Sequence, residues 1–125
     1  LGQDDLPPAI ARRLLGADRL IGRSTHSLDQ VQQAQSEPID YIGLGPVHTT
    51  AVKPERTAIG LGTIEAALPL SHLPVFAIGG INSENLPSLM ASGCGRIAVI
   101  GAVMSAPDSA QACRELLQTL SPSRI

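Results

Sequence analysis

The sequence predicts an α/β fold built on a parallel sheet, and three observations carry that prediction. Short apolar runs rich in β-branched residues alternate with segments that have helical spacing. Successive units are separated by roughly 20 to 35 residues, the length expected of βα units. Only 2% of the 125 residues are aromatic, so the core must be aliphatic, which suits parallel strands covered by helices.

The clearest unit begins with the continuous apolar run at 75–78, which predicts a strand covered on both faces. Gly79 and Gly80 follow and let the backbone come close to a ligand. Asn82 or Ser83 can then cap a helix. A strand, a bare loop and a helix N-terminus together are compatible with an anion site. Glycines needed only for a tight turn explain the same stretch equally well.

The other units repeat this pattern. Leu6, Ile10 and Leu14 predict a helix with an apolar stripe, which Asp4 or Asp5 could cap. Two further helix starts carry Ser or Asp followed three residues later by Gln, the spacing of a capping box. The predicted elements are a helix ending at Gly16, a strand over 20–24, a helix from Ser27 through Ala34, strands over 39–45 and 96–100, a helix over 61–70, and a helix from Asp108 to Leu120 with Cys113, Leu116 and Leu117 on one face.

Polar or glycine residues follow the predicted strands. Because parallel strands end at one edge of a sheet, we expect these residues to meet there and to bind a ligand. An open doubly wound sheet and part of a (β/α)₈ barrel both fit. Glycines after the last two strands favour the barrel, where the loops after strands 7 and 8 commonly bind phosphate. The residues placed at this edge are Asp5, Ser24, Thr50, Lys53, Gly80 and Gly101.

Composition excludes several classes of function. The formal net charge is −2 and only Arg12 and Arg13 are adjacent basic residues, so no nucleic-acid surface is expected. No apolar run is long enough to span a bilayer, and we expect a cytoplasmic protein without a membrane partner. The two cysteines, Cys94 and Cys113, are expected to be reduced and buried. The three histidines lack the spacing of a zinc site.

Five motifs occur in order along the chain: GQDD at 2–5, GRSTHS at 22–27, DYIGLGPVHTTAVKP at 40–54, IGGIN at 78–82 and AVIGAV at 98–103. Taken together, these motifs resemble those of thiamine-phosphate synthase. That resemblance implies a transferase with a (β/α)₈ barrel, which joins hydroxymethylpyrimidine diphosphate to thiazole phosphate and yields thiamine phosphate and pyrophosphate with Mg²⁺.

The resemblance also implies roles for individual residues. Asp5 would be a Mg²⁺ ligand, Ser24 and Lys53 would contact the diphosphate, and Thr50 would contact the thiazole phosphate. The backbone cup for that phosphate would comprise Gly80, Ile100 and Gly101. Two positions depart from the family pattern, because Val52 stands where a second Thr is usual and Gly101 where Ser or Arg is usual. Each departure removes a side-chain contact, so we expect weaker binding of the thiazole phosphate.

The chain is short for the fold that the resemblance implies. A complete barrel typically needs about 250 residues, and the family's remaining diphosphate and Mg²⁺ contacts lie on its first three strands. The sequence therefore predicts a truncated chain of about four βα units. Residues 1–120 would form the C-terminal half of the barrel and 121–125 a tail. Unpaired edge strands would favour self-association or pairing with a missing N-terminal half, and the fragment alone would be inactive.

Two alternative functions fit the same residues. In the relative that tautomerises a thiazole carboxylate phosphate, a His in an S-x-H motif does acid–base work, and His26 occupies that position. Asp5 and the GPV loop favour the synthase, because the tautomerase has no diphosphate to neutralise. The second alternative is a non-catalytic half-barrel that binds phosphate. Arg56 lies in the long loop after the second predicted strand, where it could face solvent or contact phosphate.

Overall fold

The structure is a computed structural model that describes residues 1–50 and 53–121. Strands and helices alternate as predicted, although the last strand has two residues where five were expected. The elements are α1 (Pro8–Leu15), β1 (Gly22–Thr25), α2 (Leu28–Ala34), β2 (Tyr41–Leu44), α3 (Gly60–Ala67), a 3₁₀ turn (Leu68–Leu70), β3 (Val75–Ile78), α4 (Leu86–Ala91), β4 (Ile97–Ala98), α5 (Gly101–Met104) and α6 (Ser109–Leu120).

The four strands form one parallel sheet in the order β1-β2-β3-β4. In its register Ser24 lies beside Gly43, and Gly43 lies beside Phe76. Leu1 extends the same pattern beyond β1, because its amino group donates to the Gly22 carbonyl at 2.7 Å and its carbonyl accepts from the Ser24 N–H at 2.8 Å. The carboxyl ends of the strands therefore lie along one edge of the sheet, as the sequence predicted.

The hydrophobic core lies between the helices and one face of the sheet. Ile42 and Leu44 of β2 are fully buried on that face, beside Val75 and Ala77 of β3. Aliphatic side chains from the helices complete this layer, as the low aromatic content predicted. They include Val31, Ile64, Leu86, Leu89 and Leu116.

The opposite face of the sheet is not covered by the described helices. Tyr41 is 38% exposed and Ile78 is 37% exposed on this face, and Phe76 between them is half-buried. The rings of Tyr41 and Phe76 pack edge to face with their centroids 5.5 Å apart. The prediction that β3 is covered on both faces was therefore wrong for the described residues. Side chains alternate across a strand, and only the face of Val75 and Ala77 meets helices.

Two of the predicted helix caps are confirmed. The Ser27 hydroxyl accepts from the N–H of Gln30 at 3.2 Å, and the Asp108 carboxylate accepts from the N–H of Gln111 at 2.9 Å. Neither Asp4 nor Asp5 caps α1, which begins after Pro7 without a side-chain cap. Proline itself supplies the start of that helix, since it presets φ and has no N–H to satisfy.

The apolar stripe predicted for α1 does not face the core. Ile10 is 42% exposed and Leu14 is 74% exposed, whereas Pro8 and Ala11 are the residues that α1 buries. Arg12 explains part of this orientation, because its guanidinium reaches over to Asp40 at 2.7 Å and fixes that side of the helix toward the sheet.

The prediction that both cysteines are buried was right for one of the two. Cys94 is buried and its thiol lies 3.3 Å from the Arg96 carbonyl, whereas Cys113 is exposed on α6. Leu117 is also exposed, and Leu116 is the buried residue of that helix. Both thiols are free, as expected. Over the described ranges, the longest apolar helical stretch is too short to cross a bilayer.

Candidate functional site

A cavity of about 910 Å³ lies at the carboxyl ends of the strands. Segments that follow all four strands line it, together with the N-terminal residues beside β1. Its size is within the range of small-molecule sites. The residues that contribute side chains or close backbone are Gln3, Asp4, Ser24, His26, Gln30, Thr49, Thr50, Lys53, Arg56, Gly79, Gly80, Asn82, Ile100, Gly101 and Ser105.

The loop between β2 and α3, residues 45–59, forms one wall of the cavity. Its first part is hydrogen-bonded to the end of β3, where Val47 N–H donates to the Ile78 carbonyl at 2.9 Å and His48 N–H to Gly79 at 3.1 Å. Its last part closes on its own start through Ile59 N–H and the Pro46 carbonyl at 2.8 Å. The base of the loop is therefore fixed against the sheet.

The middle of this loop carries the predicted phosphate-binding side chains. The Thr50 hydroxyl accepts from the N–H of Lys53 at 3.0 Å, and the Lys53 carbonyl accepts from the N–H of Arg56 at 3.2 Å. These two turns place Thr50, Lys53 and Arg56 around the same cavity. Val52, the other predicted contact in this loop, lies outside the described residues.

The glycine pair after β3 lets this loop approach the sheet. Gly79 and Gly80 have φ values of +104° and +65°. A Cβ at Gly80 would lie 2.8 Å from the His48 Cβ and 2.9 Å from the Thr49 carbonyl oxygen, and one at Gly79 would lie 2.5 Å from Pro46. The close approach of another backbone segment, together with positive φ, therefore accounts for both glycines. Gly80 nevertheless lines the cavity with its backbone.

Two asparagines fix the turn that follows the glycines. Asn82 Oδ1 accepts from the N–H of Asn85 at 3.1 Å, and Asn85 Oδ1 accepts from the N–H of Asn82 at 2.9 Å. Asn85 Nδ2 also donates to the Gly80 carbonyl at 2.8 Å. The predicted helix cap at Asn82 or Ser83 was therefore wrong, because α4 begins after Asn85 without a side-chain cap and Asn82 stabilises the turn ahead of it. The role of Asn85 was missed, although its spacing of three residues from Asn82 resembles a capping box.

His26 joins two walls of the cavity. Its Nδ1 lies 2.7 Å from the Gly45 carbonyl oxygen, and its Nε2 lies 3.1 Å from Nη1 of Arg56. A carbonyl oxygen can only accept and a guanidinium can only donate. These partners assign the proton to Nδ1 and leave Nε2 as the acceptor.

The N-terminal residues reach the cavity in a different way from that predicted. Asp5 is exposed and does not line the cavity, because its carboxylate turns back to accept from the Gly2 N–H at 2.5 Å. Gln3 and Asp4 line the cavity instead, and Gln3 Nε2 donates to the Ser24 carbonyl at 2.6 Å. Within the described ranges, no three His, Cys, Asp or Glu side chains gather into a metal cluster.

The cavity therefore brings together most of the predicted site residues. Ser24, Thr50, Lys53, Gly80, Ile100 and Gly101 all line it, and Asp5 does not. The salt bridges found among the described residues join Arg12 to Asp40 and Arg23 to Glu37. Neither Lys53 nor Arg56 takes part in these salt bridges, so their positive charges are available to a ligand in the cavity. Their side chains, the backbone of the glycine turn and the nearby hydroxyls suit an anionic ligand.

The fold and this cavity define a parallel α/β protein with a cavity where its strands end, lined by groups that suit an anionic ligand. A family model described as thiamine monophosphate synthase matches residues 1–103, and the chain belongs to that family. The resemblance inferred from the motifs is thereby confirmed.

Curated relatives and a solved structure agree with this assignment. The thiamine-phosphate synthase of Synechococcus sp. (strain CC9605) is 59% identical over 125 residues, and that of Parasynechococcus marenigrum (strain WH8102) is 59% identical over 121. The alignments cover 100% and 97% of this chain but 36% and 35% of those proteins. The chain thus spans about a third of these relatives. Thiamine phosphate pyrophosphorylase from Pyrococcus furiosus superimposes with a TM-score of 0.89 at 34% identity, over 98% of this chain and 58% of that one.

Proposed function

We propose that this chain forms the C-terminal part of a cytoplasmic thiamine-phosphate synthase. The reaction would transfer the hydroxymethylpyrimidine group from its diphosphate to thiazole phosphate, giving thiamine phosphate and pyrophosphate. One observation carries the proposal: the predicted contacts for both substrates line a single cavity in the described residues. They are Ser24, Thr50, Lys53, Gly80, Ile100 and Gly101.

The chemistry needs little from the protein beyond charge stabilisation. The bond between the pyrimidine methylene carbon and the diphosphate oxygen breaks, and the thiazole nitrogen attacks the resulting cation. Negative charge develops on the departing diphosphate, where the Lys53 ammonium and the Ser24 hydroxyl would stabilise it. No nucleophilic side chain is required. We therefore assign Ser24 and Lys53 as catalytic residues that act on the leaving group.

The thiazole phosphate would lie against the backbone at the ends of β3 and β4. Gly80 is held there by Asn85, and the chain after β4 leads through Ile100 to Gly101. A side chain at Gly101 would meet open space, so its backbone is accessible from the cavity. Thr50 faces the same cavity from the β2–α3 loop. Backbone N–H groups of this kind bind phosphate without needing a positive side chain.

Mg²⁺ fits this chain as an ion held by few protein ligands. Asp5 uses one carboxylate oxygen on the Gly2 N–H and keeps the other free, and Asp4 lines the cavity. Mg²⁺ commonly takes one or two carboxylates and completes its coordination with water and phosphate oxygens. Asp4, which lines the cavity, would supply one ligand and the diphosphate would supply others, and Asp5, the ligand that the motif implies, would have to turn from the Gly2 N–H to join them. The ion would neutralise part of the charge on the leaving group.

The remaining part of a (β/α)₈ barrel would cover the open face of the sheet. That face presents Tyr41, Phe76 and Ile78, and β1 and β4 form the two edges of the sheet. In a closed barrel such side chains fill the interior and the edge strands are paired. We propose that an N-terminal segment, or a second copy of this chain, completes the sheet, and that residues 1–120 belong to the barrel.

The tautomerase alternative requires a histidine that exchanges a proton with substrate. In this chain both ring nitrogens of His26 are engaged, with Gly45 and Arg56 as partners. This arrangement supports the synthase over the tautomerase.

A hybrid protein tests the proposal. The chain would replace the matching 36% of the Synechococcus sp. (strain CC9605) relative, and pyrophosphate release from both substrates with Mg²⁺ would be measured. We expect the hybrid to release pyrophosphate only when both substrates are present, and the chain alone to release none. A folded hybrid that binds phosphate without turnover would support the non-catalytic half-barrel that binds phosphate instead. One that acts on a thiazole carboxylate phosphate would support the tautomerase.

A further inference from the structure

The middle of the β2–α3 loop has one connection to a different wall of the cavity. Among the described residues 49–50 and 53–58, the hydrogen bonds stay within the loop except for the one between Arg56 and His26. This contact joins residues that are 30 positions apart in the chain. It therefore determines where the segment that carries Lys53 lies relative to β1.

His26 is itself held on both sides. Its backbone N–H donates to Gln30 Oε1 at 2.8 Å, and its ring donates from Nδ1 to the Gly45 carbonyl at 2.7 Å. The imidazole cannot rotate without losing the second bond. Its Nε2 is thus a fixed acceptor aimed at Arg56. A fixed acceptor reduces the rotamer freedom of a long exposed side chain, which lowers the entropy cost of using that side chain to bind a ligand.

Arg56 has donors left for a ligand. A guanidinium carries five N–H groups, and the contact with His26 uses one of them. Within the described part of the chain, its guanidinium makes neither a salt bridge nor another hydrogen bond. Both Arg56 and His26 line the cavity. An arginine in this position can bind two oxygens of one phosphoryl group.

We propose that Arg56 is a further diphosphate-binding residue and that His26 is the residue that positions it. This inference rests on the proposed function. Arg56 is connected to both segments that carry the proposed diphosphate contacts, since His26 lies two residues after Ser24 and the Lys53 carbonyl accepts from the Arg56 N–H. The ligand it would contact is therefore the diphosphate on this side of the cavity, and the thiazole phosphate lies with the glycine turn.

The test uses the hybrid protein and two readouts. The first is the KM for each substrate, and the second is the Kd of inorganic pyrophosphate measured calorimetrically without turnover. Arg56→Gln should raise the KM for the pyrimidine diphosphate and the Kd of pyrophosphate about tenfold, as expected for a lost charged hydrogen bond. The KM for thiazole phosphate should stay within about twofold. Arg13→Gln, an exposed substitution on α1, is the matched control and should change neither.

Two substitutions separate positioning from a merely structural role. His26→Asn keeps a donor for Gly45 but loses the acceptor for Arg56, and should raise the pyrophosphate Kd about threefold to fivefold. His26→Gln keeps an acceptor at the distance of Nε2, and should restore much of the affinity. Combining His26→Asn with Arg56→Gln should be no worse than Arg56→Gln alone, because the first acts through the second.

Several outcomes would overturn the inference. One is a pyrophosphate Kd for Arg56→Gln that stays within twofold of the parent value. Another is an additive effect of His26→Asn and Arg56→Gln on that Kd. Equal effects on both substrates would indicate general disruption of the loop. The proposed function fails separately: a hybrid that releases no pyrophosphate from its substrates but binds pyrophosphate in an Arg56-dependent way would retain the anion site and lose the synthase assignment.

Discussion

Substituting Gly80 by Ala tests whether the glycine turn sets the position of the β2–α3 loop. The φ of Gly80 is +65°, which a residue with a Cβ rarely adopts. The added Cβ would lie 2.8 Å from the His48 Cβ and 2.9 Å from the Thr49 carbonyl oxygen. Both neighbours belong to the loop, and one is backbone. The substitution should therefore displace the segment that carries Thr50 and Lys53.

The size of the effect follows from these two contributions. A left-handed conformation costs a non-glycine residue about 1–2 kcal/mol. Moving a loop whose base is hydrogen-bonded to β3 adds a cost comparable to a modest overpacking, about 1 kcal/mol. We therefore expect Gly80→Ala to lower the free energy of unfolding by about 2–3 kcal/mol. Gly79→Ala should cost more, because its φ of +104° lies further from the allowed region and Pro46 is 2.5 Å away.

Gly62→Ala is the matched control for this experiment. Gly62 lies in α3 with no atom within 4 Å of an added Cβ, so alanine should stabilise the helix by about 0.5–1 kcal/mol. The assay is urea unfolding of the hybrid protein, together with the KM for thiazole phosphate. Gly80→Ala should raise that KM and Gly62→Ala should not. If Gly80→Ala were as stable as the parent, the loop would be shown to yield without cost and the reasoning would fail.

Three further predictions concern charge, pH and packing. Lys53→Met should raise the pyrophosphate Kd of the hybrid about tenfold or more by calorimetry, with retention of the parent value arguing against its role. Hydrogen bonds from the Ile21 N–H and then from the Arg12 guanidinium lower the pKa of Asp40 below its ordinary value of 3.8. The stability that ionised Asp40 gives the folded chain is therefore present above pH 3.8, and it is lost as the pH falls through the lower pKa of the folded state. Asp40→Asn should therefore be less stable than the parent at neutral pH, and this difference in stability should shrink as the pH falls below 3.8 in acid-unfolding measurements. A difference that stays constant over that range would be contrary to this account. Leu89→Ala should cost about 2–5 kcal/mol in urea unfolding, since Leu89 is fully buried, and a cost below about 1 kcal/mol would mean that the site collapses around the smaller side chain.

The features that could be predicted from the sequence are those set by local chemistry. The caps at Ser27 and Asp108 depend on a side chain three residues from its partner. The alternation of strands and helices depends on short windows of hydrophobicity. Convergence of the site residues then follows, because parallel strands place their carboxyl ends along one edge. Lys53 and Gly80 could therefore be assigned to one cavity before any contact was known.

The features that could not be predicted depend on partners distant in sequence. The stripe of Ile10 and Leu14 has helical spacing, but spacing does not say which face of α1 meets the sheet. In the same way, the apolar run 75–78 predicts a buried strand, whereas its two faces have different surroundings in the described residues. Hydrophobic pattern reports what a side chain prefers, and the neighbouring elements decide whether that preference is met.

The β2–α3 loop shows why the role of a single residue is harder to predict than the edge of the sheet at which a site lies. Its conformation depends on three separate features: glycines at the end of β3, the reciprocal bonds of Asn82 and Asn85, and the contact of His26 with Arg56. Motif spacing places Arg56 in the same loop as Lys53 but gives no reason to expect Arg56 to bind phosphate in preference to facing solvent. The reason comes from His26, whose tautomer is determined by the Gly45 carbonyl on a neighbouring strand end. Because that carbonyl fixes the acceptor and the acceptor holds the guanidinium, the binding role proposed for Arg56 follows from contacts that only the folded chain forms.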